Sequence, residues 1–148
     1  MYPYGPAVLR LAVGTIFVAH GAQKLFGIWG GPGLSGTATF MGQLGLGPGV
    51  ALALLVGIVE FAGGLMLILG ALTLIAAALL TVDMLVATWK VHLAGFFLPA
   101  GFEFNLVLIG ALVSLMLTGP GALSIDGRRA RSAEARAYGR ARIRAGRV

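Results

Sequence analysis

The sequence predicts an all-α, polytopic membrane protein: a bundle of four transmembrane helices with a glycine-rich loop between the first and second. Three observations carry that expectation. First, the 148 residues are 58% hydrophobic and only 11% charged, against roughly 45–50% and about 25% in soluble domains. So few polar side chains cannot coat a water-facing surface, and a disordered chain needs the reverse balance of low hydrophobicity and high charge. Second, four apolar stretches each approach the length of about 20 residues that a helix needs to cross a bilayer core. Third, charge is segregated. Residues 1–126 hold Arg10, Lys24 and Lys90 against Glu60, Asp83, Glu103 and Asp126, a net of −1, whereas residues 127–148 hold eight arginines against Glu134, a net of +7.

The spans fall at about residues 6–26, 48–69, 71–91 and 102–118 of a transmembrane domain covering 1–126. Pro6 suits the first turn of a helix, where its missing N–H costs nothing. Residues 1–5 carry no positive charge and Arg10 interrupts the apolar run, so this span reads as a retained anchor, not a cleaved signal peptide. Residues 27–49 hold nine glycines, two prolines and no charge. This segment reads as an interfacial or partly re-entrant loop with one short helix near residues 37–44 and Trp29 at headgroup level. Gly70 joins the second and third spans with almost no linker, a tight helical hairpin, and Gly119-Pro120-Gly121 stops the fourth. Residues 127–148 read as a disordered arm that sets topology and meets anionic lipid in preference to nucleic acid. With four spans, a multi-pass protein of the cell membrane then has both termini in the cytoplasm.

Ionisable side chains within a bilayer are costly, so each is a candidate site residue. Arg10, Phe17 and Lys24 are seven apart on one stripe of the first helix, and His20 sits one turn from Lys24. Glu60 falls near the middle of the second span. It is framed by Gly57, Gly63 and Gly64, which permit close helix approach and would also allow a homodimer. Asp83 falls near the middle of the third span, with Lys90 two turns along the same face. His92 and Glu103 flank the connection to the fourth. Antiparallel helices would gather these groups into a polar funnel with Glu60 and Asp83 at its floor. The bland alternative for Arg10, Lys24, Lys90 and Glu103 is snorkelling towards the headgroups; Glu60 and Asp83 are too short and too deep for it.

The absence of cysteine removes disulfides, thiol relays, cysteine-ligated zinc, iron–sulfur clusters and c-type haem. His20 and His92 are the only histidines. His20 lies about two turns inside its helix and His92 at the end of its own, a poor match in depth for bis-histidine haem, and no metal site is expected. The glycine pairs of the 27–49 loop lack a preceding strand and a Walker lysine, so they do not read as a phosphate cradle. No serine has a histidine–acid pair by spacing. Electrons for any redox chemistry must therefore come from a bound organic molecule or a partner.

Arg10 followed by His20-Gly21-x-x-Lys24, the glycine-rich stretch before Phe40, and Glu60-x-x-Gly63-Gly64 leading to Leu69-Gly70 occur in that order. They continue with His92, Gly95-Phe96-Phe97, Glu103, Gly119-Pro120-Gly121 and Ser124-Ile125-Asp126. In these elements, through most of residues 8–126, the chain resembles the DoxX family of small four-helix membrane proteins. Asp83 and the arginine tail lie outside the family pattern. The resemblance implies an architecture more than a reaction. Relatives are associated with quinone-linked sulfur oxidation, terminal oxidase assemblies and membrane-tethered oxidative-stress or thiol-redox complexes. It also implies that Arg10, His20, Lys24, Glu60, His92 and Glu103 share a polar site.

The reading preferred on these grounds is a redox-linked membrane subunit with a quinone-like ligand in an intramembrane pocket. His20 and Lys24 would hydrogen-bond a quinone oxygen, Glu60 would exchange its protons, and Arg10, Asp83, His92 and Glu103 would complete the pocket. A redox enzyme partner would supply the electrons. The alternatives are a non-catalytic scaffold for soluble oxidoreductases or stress enzymes, docked through the tail, and a small-solute or proton transporter built on Glu60 and Asp83.

Overall fold

A computed structural model describes residues 4–97 and 101–145 of the chain; part of the connection after Lys90, and the tail beyond residue 145, lie outside the described residues. Within them the chain forms helices and no strand: α1 (Tyr4–Phe26), α2 (Gly33–Gln43), α3 (Gly49–Leu69), α4 (Thr73–Ala87), α5 (Glu103–Thr118) and α6 (Ile125–Ala145). A π-turn over Thr88–His92 continues α4. Three segments are long and apolar enough to cross a membrane: α1, α3 and α4 with its π-turn, of 23, 21 and 20 residues. At 16 residues, α5 is apolar but shorter.

The packing runs α1 on α3, α3 on α4, α4 on α5 and α5 back on α1, with α2 laid over α1 and α3. The shared core is thin: Phe17, Leu67, Leu80, Leu112 and Leu115 are almost fully buried at its centre. Far more apolar surface points outward, including Leu54, Leu55, Ile58, Leu74, Leu79, Leu85, Val107 and Leu117. A continuous coat of this kind would drive aggregation in water. In hydrocarbon it costs nothing, and the helices satisfy their own backbone there.

Glycines bring α1 and α3 together. Gly14 and Gly21 on α1, like Gly57 and Gly64 on α3, are seven residues apart, the period of a helix seam. A Cβ on Gly64 would fall 2.7 Å from the Gly14 carbonyl oxygen, and one on Gly21 would fall 2.8 Å from Phe61 Cα. Gly57 faces Leu25 and Gly63 faces Leu80. The glycines of α3 are therefore used inside the chain, in close approach to α1 and α4.

Two expectations change. The segment between α1 and α3 carries an 11-residue helix, starting four residues before the short helix read at 37–44. The tail forms α6 where a disordered arm was expected. Alanine and arginine are both strong helix formers, and the Ser124 side chain caps the helix start by accepting the Gly127 N–H at 3.1 Å.

Candidate functional site

The candidate residues separate into two groups at opposite ends of α1. Arg10 belongs to the end where α3 and α5 finish and α6 begins. It neither snorkels nor joins the other charges: it is 1% exposed. Its Nη1 donates to the carbonyls of Leu67 at 2.9 Å and Ile68 at 3.2 Å, its Nε to Pro120 at 2.7 Å, and its Nη2 to Ala122 at 2.9 Å and Leu123 at 3.4 Å. The last carbonyls of a helix lack intrahelical partners and sit at its negative pole, so a buried cation fits there. Fourteen residues separate Arg10 from Lys24, about 21 Å along a helix, and that length defeats a shared site despite the shared stripe.

Asp126 completes this end. Its carboxylate accepts the N–H groups of Leu72 and Thr73, at 3.0 and 2.9 Å, and the Thr73 hydroxyl at 2.9 Å. Its own N–H donates to the Gly70 carbonyl at 2.9 Å. Gly70 (φ 63°) and Leu72 (φ 49°) adopt left-handed backbone to make the turn, and these bonds fix it. Partial burial pushes the Asp126 carboxyl up, but the hydrogen bonds from Thr73 and Leu72 and the charge of Arg129 outweigh it and hold the group below its ordinary value.

The other end encloses a cavity of about 700 Å³. Its wall is largely apolar, and five of the seven candidates line it: His20 and Lys24 from α1, Glu60 from α3, Asp83 from α4, and His92 from the π-turn. Lys24 Nζ donates to both carboxylate oxygens of Glu60 at 2.5 Å. Glu60 is 2% exposed and the Lys24 side chain 25%. Asp83 is close enough to Glu60 and Lys24 to feel both charges, so two carboxyls and one ammonium face the same cavity. Asp83 Oδ2 and His92 Nδ1 are buried with no hydrogen-bond partner among the described residues. Buried polar atoms nearly always have partners, so water or another group in the cavity would complete these two.

Why His92 reaches the cavity, and Lys90 does not line it, follows from the π-turn. In an unbroken α-helix Asp83 and Lys90, seven apart, share a face, while His92, nine apart, lies opposite. The wider π-turn rotates each residue by less, which carries Lys90 off that face and His92 onto the cavity. Lys90 Nζ sits 4.4 Å from the centre of the Trp89 ring instead. Glu103 opens α5, where its charge suits the helix N-terminus, and it is absent from the cavity lining.

Sequence reasoning passed over Asn105, Gln23 and Thr37, which also line the cavity. Asn105 is buried and donates from Nδ2 to the Thr88 hydroxyl at 3.1 Å, tying α5 to the π-turn. A lone amide inside an otherwise apolar helix was the available signal. Among the described residues no three acids or histidines cluster as metal ligands.

A bundle that turns its apolar side chains outward and encloses Glu60, Asp83 and Lys24 in a largely apolar cavity defines a class, the small helical membrane protein with charged groups in an internal chamber. More narrowly, the chain belongs to the DoxX family, whose sequence model matches residues 5–93. Three relatives are close in length. An uncharacterised protein of Haemophilus influenzae is 32% identical over 84% of this chain and 90% of its own. A candidate oxidoreductase named CatD, from Bacillus subtilis, is 30% identical over 84% of this chain and 87% of its own. The inner membrane protein YqjF of Escherichia coli is 32% identical over 82% and 89%. No solved structure gives a significant match.

Proposed function

We propose that this protein is a redox-linked subunit of the cell membrane whose cavity binds a quinone-like ligand. The single observation that carries the reading is the Lys24–Glu60 pair beside Asp83 within an apolar wall, with Asp83 Oδ2 and His92 Nδ1 left unpartnered. A quinone supplies a flat apolar ring, two carbonyl acceptors and two-electron chemistry. The cavity matches those demands in kind: its volume is within the roughly 300–1,000 Å³ of small-molecule sites. Lys24 and His20 donate to one ring oxygen and hold it. Glu60 and Asp83 relay the protons that reduction consumes, one for each electron, drawn from the aqueous side. A partner oxidoreductase delivers the electrons, in keeping with the name of the Bacillus subtilis relative.

In this reading α5 is the fourth span. Its 16 residues cover about 24 Å, and a shortfall of that size is met by local thinning or flanking residues. The arginines of α6 hold both termini in the cytoplasm. The test is quinone reduction in membranes that contain the protein and its electron-donating partner. Glu60→Gln leaves the ligand bound but slows reduction about 100-fold, the usual scale for losing a positioned acid. An unchanged rate would remove Glu60 from the proton route.

A further inference from the structure

The shape of the cavity says how its ligand is built and from where it enters. Leu52, Val56 and Glu60 are four apart on α3 and all three line the cavity, so they form one straight track. Eight residues along a helix amount to roughly 12 Å. The acid lies at one end of the track and only apolar side chains at the other. α2 borders the track on one side, presenting Phe40, Met41 and Leu44 to the cavity, and α4 borders it on the other with Val86. Phe40 and Val86 are 43% and 42% exposed, so the rim is apolar and open. Val86 belongs to α4, one of the three long apolar helices, and Phe40 to α2, which lies over α1 and α3, so an apolar opening faces outward between them.

We infer, building on the quinone reading, that the ligand is a long-tailed amphiphile which enters head-first from the bilayer between α2 and α4, its tail lying along Leu52 and Val56. A polar head reaches Lys24, Glu60 and Asp83 while an apolar tail covers the track and continues into lipid. A water-soluble ring without a tail leaves the track uncovered and gains nothing from it. The portal thus selects membrane-borne ligands, and it does so with residues separate from those that hold the head.

The experiment uses the full chain in nanodiscs and two probes, 2-methyl-1,4-naphthoquinone and the same ring bearing a four-unit isoprenoid chain. Affinities are referred to the concentration in the membrane, so that partition into lipid does not count as binding. The tailed probe binds wild type at least tenfold more tightly. Val56→Trp, and independently Leu52→Trp, weakens the tailed probe at least tenfold and the tail-less probe less than twofold. Lys24→Met weakens both probes by the same factor. Equal affinity of wild type for the two probes would overturn the portal and leave the quinone reading standing, as would equal weakening of both probes by both tryptophan variants. If neither probe binds wild type, the quinone reading itself fails and the portal inference with it.

Discussion

Arg10 offers the largest single perturbation that the structure allows to be worked out in advance. Its guanidinium is buried, and four of its five hydrogen bonds to carbonyls are 3.2 Å or shorter. Two of those carbonyls, Leu67 and Ile68, belong to the last turn of α3, and two to the strand-free segment between α5 and α6. Arg10→Met leaves all four acceptors without the donor, although Leu67 keeps the Gly70 N–H. At about 1 kcal/mol for each of the other three, the low end of the usual cost of an unsatisfied buried group, the loss is about 3 kcal/mol. Arg10→Lys keeps the charge but not the fork of donors, so about half of that is lost. Equilibrium unfolding in a mild detergent measures both, and limited proteolysis reads the release of residues 119–124. Arg10→Met within about 1 kcal/mol of wild type, well under the predicted loss, would refute the role given to this residue. So would unchanged protection of that segment.

Three further outcomes follow from the same geometry. Gly21→Ala forces a methyl group against the Phe61 backbone and costs about 1–3 kcal/mol by overpacking, visible as a lower melting temperature; a neutral result would mean that α1 and α3 are not so close. Asp126 is held below its ordinary value in the folded chain, so its contribution is present above the unfolded carboxylate value of about 3.9 and is lost as pH falls through the folded one. Melting temperature followed towards acid therefore falls further in wild type than in Asp126→Asn, and parallel curves would contradict the assignment. The chain has no cysteine, so single thiols report topology cleanly. A membrane-impermeant maleimide labels Ser35→Cys in intact spheroplasts and Ala133→Cys only after lysis, and the reverse pattern would invert the proposed orientation.

Much of this architecture was legible in the sequence because bilayer thickness and apolar run length leave little freedom. The bounds of α1, α3 and α5 lie within about two residues of those read from composition, the ordinary uncertainty of helix ends. That Lys24 and Glu60 meet was legible because a buried charge needs a partner. Arg10 was misplaced because a shared stripe says nothing about distance along the helix. Lys90 was expected on the face of Asp83 and lies off it, because a π-turn is invisible to a period of 3.6 residues. The glycines of α3 signalled close approach correctly, but not which helix approaches. That α6 is a helix was open to propensity reasoning, and charge density hid it.

The most direct test of the central claim is mass spectrometry of lipid-soluble molecules extracted with the protein from its own membranes. The account predicts a quinone at close to one per chain in wild type, depleted by Lys24→Met and retained by Glu103→Gln, whose side chain is absent from the cavity lining. Protein recovered with no quinone, or with the same amount in Lys24→Met, would contradict it.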